Sequence, residues 1–127
     1  MQGISVVSVV DDDQSSRIGI TKLVRSLGFP AREFASARAF LQSPDLANTS
    51  CVISDIQMPE MDGFQLLDDL RGRGNNTPII FVTAFPSEKI RAQALARGAA
   101  HFLIKPFDGN TLEQCITAAL KKCNKRA

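Results

Sequence analysis

Five short candidate strands, most of them apolar, alternate along this chain with segments of helical periodicity, and this alternation limits the folds open to it. Each apolar segment has the length of a buried strand, while the segments between repeat apolar residues at the spacing of an amphipathic helix. Alternating strands and helices form right-handed crossovers, which place the strands in one parallel sheet with helices on both faces. The sequence therefore predicts an α/β domain with a doubly wound, five-stranded parallel sheet in a three-layer sandwich. The predicted strands are residues 4–10, 31–34, 51–54, 79–83 and 101–105.

The composition of each segment predicts its place in the sheet or its packing. The first, third and fourth strands are nearly all apolar, as expected of central parallel strands that are buried on both faces. The second, Ala31-Arg32-Glu33-Phe34, is short and polar, so we place it at an edge. The fourth helix, near residues 88–97, has a thin, alanine-rich apolar face and is expected to be the least firmly anchored. The last helix has the clearest period, and Asp108 or Asn110 is available as its N-cap.

Length and composition fit one soluble domain. The chain has 127 residues, of which 44% are hydrophobic and 22% charged, and its formal net charge is +2. Nothing in this balance favours nucleic acid or a membrane as a partner, and no apolar stretch approaches the roughly 20 residues that a membrane span needs. We expect the domain to cover residues 1–120, with a basic tail or the start of a linker at 121–127.

The cysteines and the N-terminus bear on the compartment. The three cysteines are far apart and form no CxxC pair, so we expect reduced thiols in a cytoplasmic protein, with Cys51 in the core. The first residues lack the basic region of a secretion signal. The expected localisation is therefore cytoplasmic.

Polar residues stand at the carboxyl ends of four predicted strands. Parallel strands bring these ends to one edge of the sheet, which is where ligands bind in open α/β folds. Clustered carboxylates raise one another's pKa unless a cation neutralises them, and oxygen ligands without His or Cys favour Mg²⁺ or Mn²⁺. A lysine and a hydroxyl beside such a metal site predict phosphoryl chemistry, with Asp55 as the candidate nucleophile. The strand-end residues are Asp11, Asp12 and Asp13, then Asp55, Thr83 and Lys105.

Each of these residues also has a simpler interpretation. The aspartates before the first helix could cap it, Thr83 could bond its own backbone, and a lone Lys105 is ordinarily solvated. All of these simpler interpretations would have to be true at the same time, at four matched strand ends. We therefore prefer the functional interpretation for the set of residues. Asp13 is the exception, because it could be only a solvated or helix-capping group. His101 has no second His or Cys at ligand spacing, and we expect it at the surface.

The motifs at the strand ends resemble those of the receiver domain of two-component response regulators. The resemblance covers roughly residues 4–120. Four motifs in the family's order are specific, whereas any one of them would be weak. The resemblance implies a (βα)5 flavodoxin-like fold and a signalling domain rather than an enzyme. The motifs are Val10-Asp11-Asp12, Ile53-Ser54-Asp55 continuing to Asp62-Gly63, Val82-Thr83-Ala84, and Leu103-Ile104-Lys105-Pro106-Phe107.

The resemblance implies a phosphoacceptor and a metal site. Asp55 would take a phosphoryl group from a sensor histidine kinase or a histidine phosphotransfer protein. Asp12 and Asp55 would bind Mg²⁺, or Mn²⁺, directly, together with the backbone carbonyl of Gln57. Asp11 would act on the metal mainly through a water molecule.

It also implies a switch. Thr83 and Lys105 would contact the phosphoryl oxygens, Lys105 as a point charge. Phe102 stands where the family usually has an aromatic residue, so it could move together with Thr83, or it could simply be a core residue. The surface that responds would consist of the fourth helix, the fifth strand and the fifth helix, where a homodimer partner or output domain could bind.

Residues 59–63 and 71–83 resemble those of regulators that carry a LuxR-type helix-turn-helix output. Because the chain ends soon after its fifth helix, we expect no DNA-binding module and no direct nucleic acid contact by this chain.

Two other functions stay open at this point. A Mg²⁺-dependent phosphohydrolase with an aspartyl-phosphate intermediate would use the same nucleophile and metal. Such enzymes usually carry a second acid two residues after the nucleophile, where this chain has Gln57, and they carry a cap domain for the substrate. The third interpretation is an adaptor that binds a partner regardless of phosphorylation.

Overall fold

A computed structural model describes residues 6–126, with side chains through residue 121, and it contains a parallel five-stranded sheet. The strand order is β2-β1-β3-β4-β5, and every neighbouring pair is parallel. The predicted fold class is confirmed. The strands are β1 (Val6–Val10), β2 (Ala31–Phe34), β3 (Thr49–Asp55), β4 (Ile79–Thr83) and β5 (His101–Ile104). The helices are α1 (Gln14–Ser26), α2 (Ala37–Leu41), a 3-10 helix (Pro44–Asn48), α3 (Gly63–Gly72), α4 (Glu88–Ala96) and α5 (Gly109–Arg126).

The predicted strand positions are confirmed, and three strand ends differ from the prediction, of which one is the end of β3 at Asp55, one residue later than predicted. β2 is at one edge, and β1, β3 and β4 are central. β3 begins at Thr49 instead of Cys51, because the Thr49 hydroxyl is buried in a 2.7 Å hydrogen bond with Ser8 Oγ. β5 ends at Ile104, so Lys105 follows the strand, although its N–H still donates to the Thr83 carbonyl at 2.8 Å. Predicted strand residues 4 and 5 lie outside the described residues.

The sheet buries both faces. Along each strand, alternate side chains point to opposite faces, so Cys51 and Ile53 pack towards α1 and α5 while Val52 packs towards α2 and α3. Cys51 is fully buried, as predicted, and neither it nor Cys115 is in a disulfide. This two-sided packing buries β1, β3 and β4 and leaves their carboxyl ends at one edge.

The helix ends follow local capping chemistry. Asp13 accepts the Ser16 N–H at 2.8 Å and caps α1, and Asp108 accepts the Thr111 N–H at 2.7 Å at the start of α5. α4 is followed by Gly98, whose φ of 90° is readily accessible only to glycine. The predicted division at residue 120 stays a prediction, and α5 continues past it to Arg126. Among the described residues no helix is long and apolar enough to cross a membrane.

Candidate functional site

Three aspartates meet at the carboxyl edge of the sheet. Asp11 directly follows β1 and is fully buried, Asp55 ends β3 and is 9% exposed, and Asp12 is exposed. One carboxylate oxygen from each lies within 4.8 Å of the others. A set of hard oxygen ligands at this spacing, without His or Cys, fits Mg²⁺ or Mn²⁺.

The ammonium group of Lys105 lies among these acids. Lys105 Nζ donates to Asp11 Oδ2 and to Asp55 Oδ2, each at 3.0 Å, and to Ser16 Oγ at 2.8 Å. An ammonium group has three protons to donate, so all three are engaged. The lysine therefore ties the candidate phosphoacceptor to β1 and α1.

The charges in this pocket shift the pKa values of both partners. Burial raises the pKa of Asp55, and the nearby charge of Asp11 adds to this, while the hydrogen bond and charge of Lys105 oppose it. Burial alone would lower the pKa of Lys105, but its hydrogen bonds to Asp11 and Asp55 outweigh burial and raise that pKa. Lys105 therefore stays protonated at neutral pH, and the ionised Asp55 carries a free-energy cost that a bound cation would reduce.

The remaining bonds separate the roles of Asp11 and Asp12. Asp11 Oδ1 accepts the Asp13 N–H at 2.9 Å, and Oδ2 accepts the Ser16 hydroxyl at 2.7 Å in addition to Lys105. A carboxylate offers about four lone-pair sites, so Asp11 has little capacity left for a direct metal bond. No hydrogen bond or ion pair within residues 6–121 holds the Asp12 carboxylate, which leaves it open to a ligand.

Thr83 lies at the end of β4 and is fully buried. Its hydroxyl donates to Gln57 Oε1 at 2.8 Å and accepts the Phe85 N–H at 3.0 Å. The N–H of Gln57 in turn donates to Asp55 Oδ1 at 3.3 Å. Thr83 and Asp55 are thus linked through one residue, Gln57.

The loop that carries Gln57 is closed by Gly63, the first residue of α3. The Gly63 N–H donates to the Ile56 carbonyl at 2.9 Å. A Cβ at this position would lie 2.6 Å from the Asp55 carbonyl oxygen and 2.9 Å from Phe81 Cε1. Only glycine lets the start of α3 approach the Asp55 backbone this closely, which explains the Asp62-Gly63 motif, since Asp62 caps the helix.

The structure places the other singled-out residues as follows. Asp13 is the N-cap of α1, so the capping interpretation is confirmed. Phe102 is partly buried and packs against the core between the sheet and α3. His101 was predicted at the surface, and it lies half-buried on the edge strand β5, opposite Ile80 of β4.

Sequence reasoning missed two contacts. Ser16 was not singled out, although it bonds both Lys105 and Asp11; the available signal was a hydroxyl in the first turn after the acidic triplet. For Gln57 only the backbone carbonyl was considered, whereas its side chain bonds Thr83. Neither contact could be read from spacing, because each depends on the direction of one side chain.

Comparisons with known proteins agree with this arrangement. The family model described as "Response regulator receiver domain" matches residues 7–117. The transcriptional regulatory protein TdiR of Thauera aromatica is 39% identical over 116 residues, which are 91% of this chain and 51% of TdiR. The response regulator protein TodT of Pseudomonas putida is 36% identical over 117 residues, 92% of this chain and 52% of TodT.

A solved structure shows the same fold. The Vibrio cholerae chemotaxis protein CheY4 is 29% identical, with a TM-score of 0.83 over 93% of this chain and 100% of that one. The chain spans about half the length of the curated relatives, 51% of TdiR and 52% of TodT. Because the family model covers residues 7–117, almost the whole sheet and the site at its edge, this chain belongs to the receiver domain family of two-component response regulators.

Proposed function

We propose that Asp55 accepts a phosphoryl group from a sensor histidine kinase or a histidine phosphotransfer protein. The observation that carries the proposal is the position of Lys105, whose ammonium bonds Asp55 and Asp11 inside a cluster of three carboxylates. A lysine, a metal-binding set and a strand-end carboxylate are the parts that phosphoryl transfer needs. We place the domain in the cytoplasm, where the kinase domain that phosphorylates it would be found.

The reaction transfers one phosphoryl group, with one bond formed and one broken. An oxygen of the Asp55 carboxylate bonds to phosphorus as the P–N bond of the donor's phosphohistidine breaks. The electron pair of that bond stays on the imidazole nitrogen, which takes up a proton from water. Lys105 Nζ, 3.0 Å from Asp55 Oδ2, exchanges that hydrogen bond for one to an arriving phosphoryl oxygen, and the Thr83 hydroxyl at the neighbouring strand end is the second donor.

The metal would be held by Asp12, Asp55 and the backbone carbonyl of Gln57, with Asp11 behind a water molecule. Mg²⁺, or Mn²⁺, would supply positive charge against the carboxylates and the phosphoryl group. The buried Asp11 orients this set: its carboxylate accepts bonds from Asp13, Ser16 and Lys105. Its backbone carbonyl accepts Arg17 Nη1 at 3.0 Å.

The phosphohydrolase alternative finds no support in the site. Gln57 stands where such enzymes place their general acid, and its amide has no acidic proton and is bound to Thr83. The adaptor interpretation would leave the bonds of Lys105 to Asp11 and Asp55 without a chemical role. We therefore retain phosphorylation as the function and treat the domain as a signalling module, not an enzyme.

We place the output surface on α4, β5 and α5. Three large hydrophobic side chains near this surface are solvent-exposed: Phe85 at 73%, Ile104 at 49% and Leu95 at 46%. Exposed apolar groups of this size favour a protein partner, which would be a second copy of the chain or an output domain. Contact with nucleic acid would belong to such an output domain and not to this chain.

Intact mass after incubation with acetyl phosphate and Mg²⁺ tests the proposal. The parent is expected to gain one phosphoryl group, and Asp55→Asn to gain none. Asp13→Asn is the matched control, because it removes a nearby acid, keeps a good cap and should still be labelled. Equal labelling of Asp55→Asn would refute the assignment, acetyl phosphate turnover without an adduct would support a hydrolase, and no reaction would support an adaptor.

Stability against pH tests the electrostatics of Asp55 separately. Because burial raises the folded-state pKa of Asp55 above its ordinary value of 3.8, the ionised group destabilises the fold. Asp55→Asn should therefore be more stable than the parent above the folded-state pKa, and the gain should vanish as pH falls below 3.8. Urea unfolding across this range measures it; a gain that stays constant down to low pH would exclude the charge as its cause.

A further inference from the structure

Gln57 joins the ends of β3 and β4 through two different groups. Its side-chain Oε1 accepts the Thr83 hydroxyl at 2.8 Å, and its backbone N–H donates to Asp55 Oδ1 at 3.3 Å. One residue therefore contacts the proposed phosphoacceptor and the proposed switch hydroxyl at the same time.

A threonine hydroxyl has a single proton to donate. In Thr83 that proton goes to Gln57, since the other bond, from the Phe85 N–H at 3.0 Å, uses an oxygen lone pair. Thr83 is 0% exposed, so bulk water offers no alternative acceptor. The hydroxyl can donate to a phosphoryl oxygen only after it leaves Gln57.

Gln57 has room to release the hydroxyl. It is exposed and lines an open groove of about 600 Å³ together with Met58, Ile90 and Gln93. A hydrogen bond to an anionic oxygen is roughly twice as strong as a neutral one. Release is therefore favourable when a phosphoryl group competes for the proton and unfavourable when none is present.

We propose that the Gln57 side chain acts as a latch: its hydrogen bond holds the Thr83 hydroxyl in the unphosphorylated protein. The movement of Thr83 towards a phosphoryl group is opposed until this hydrogen bond breaks. The inference rests on the proposed function and deepens it. Gln57 thereby becomes a positioning residue that acts through Thr83, in addition to the role of its backbone carbonyl at the metal. Breaking the Gln57–Thr83 hydrogen bond reduces the net free energy gained when Thr83 bonds the phosphoryl group.

Affinity for beryllofluoride in the presence of Mg²⁺ tests the latch, with beryllofluoride in place of the phosphoryl group. Gln57→Met removes the acceptor at similar length and should bind beryllofluoride about fivefold more tightly, the factor that one ordinary hydrogen bond represents. Gln57→Leu should behave likewise. Gln93→Met makes the same chemical change across the same groove and should match the parent.

The same substitution in a Thr83→Val background shows whether Gln57 acts through the hydroxyl. There Gln57→Met should leave beryllofluoride affinity unchanged, because no hydroxyl remains to be held. Unchanged affinity in the Thr83 background, or equal tightening in both backgrounds, would overturn the latch. Absence of Mg²⁺-dependent beryllofluoride binding by the parent, or binding that survives Asp55→Asn, would instead overturn the proposed function.

Discussion

α4 follows β4 and α5 follows β5, but the two helices are held in different ways. α5 buries a full apolar face, consisting of Leu112, Cys115, Ile116 and Ala119. α4 buries one residue, Ala94. Ile90 packs against the core only partly buried, and at the C-terminal end of the helix Arg97 pairs with Asp68 and its guanidinium carbon lies 5.1 Å from the centre of the Phe64 ring.

The difference indicates which side of the domain can move. A helix held by many buried side chains moves only with global unfolding, whereas one held by a few surface contacts can shift at small cost. The proposed switch residues lie next to the weakly held helix: Thr83 precedes the loop that leads into α4, and Phe102 packs on the same side of the sheet. We therefore expect phosphorylation to act on α4 while α5 stays in place.

The largest expected effect is a loss of core packing on the α5 side. Ile116 is fully buried and Ile90 of α4 only partly so. Ile116→Ala should lower the free energy of unfolding by about 2–5 kcal/mol, and Ile90→Ala by less than about 1.5 kcal/mol. Urea unfolding of both variants measures this. Equal losses would mean that the two helices are held equally well.

Gly63→Ala should have the next largest effect. Its Cβ would meet the Asp55 carbonyl at 2.6 Å and Phe81 at 2.9 Å, and overpacking of this kind costs about 1–3 kcal/mol. Gly19→Ala is the control, since no atom lies within 4 Å of its added Cβ and alanine favours helix α1. We expect destabilisation and weaker labelling of Asp55 only in the first variant. If Gly63→Ala were as stable as the parent, the start of α3 would be able to move away from the Asp55 backbone without a cost in stability.

Hydrogen exchange with and without beryllofluoride compares the two helices directly. Residues 86–107 should change their exchange by several-fold, since a shift of about 1 kcal/mol corresponds to such a factor. Residues 112–120 of α5 should stay the same. Identical exchange of residues 86–107 in both states would refute the switch, even if Asp55 is phosphorylated.

The smallest effect should come from Arg97→Ala. Exposed ion pairs and cation–π contacts each contribute at most about 1 kcal/mol, so global stability should change little. Exchange within α4 should nevertheless become faster, because its main tie to α3 is lost. Arg73→Ala is the control, since Arg73 pairs with Asp69 near the end of α3. If exchange within α4 became faster in both variants, loss of a positive charge would be the cause, and not loss of the contact between Arg97 and α3.

The sequence predicted the sheet and its edge well because those features depend on short-range patterns. Continuous apolar runs identified β1 and β4, and the polar β2 was correctly placed at an edge. The beginning of β3 was missed, since Thr49 is a polar residue whose buried hydroxyl bonds the Asp45 carbonyl and Ser8, a residue far away in sequence. The 3-10 helix at Pro44–Asn48 was missed as well, because so short an element has no period to read.

The site was predicted as a set of residues but not as a network. Strand-end positions predicted that Asp11, Asp55 and Lys105 would meet, and the structure brings them together. The contacts of Ser16 and of the Gln57 side chain depend on rotamers that no local pattern specifies. Those contacts determine how this receiver domain holds its lysine and its threonine.

The bond between Lys105 and Asp11 joins residues 94 positions apart, and the bond to Asp55 spans 50 positions. Because non-local contacts form only after loop-closure entropy has been lost, we expect these bonds to form late in folding. As the chain leaves the ribosome, Asp55 emerges well before the lysine that completes its pocket. A nascent or truncated chain would therefore present the acceptor carboxylate without the means to use it. Under the proposed function, phosphorylation of Asp55 would therefore require the whole domain from β1 to Lys105, and an unfinished chain would not consume the phosphoryl groups of the donor.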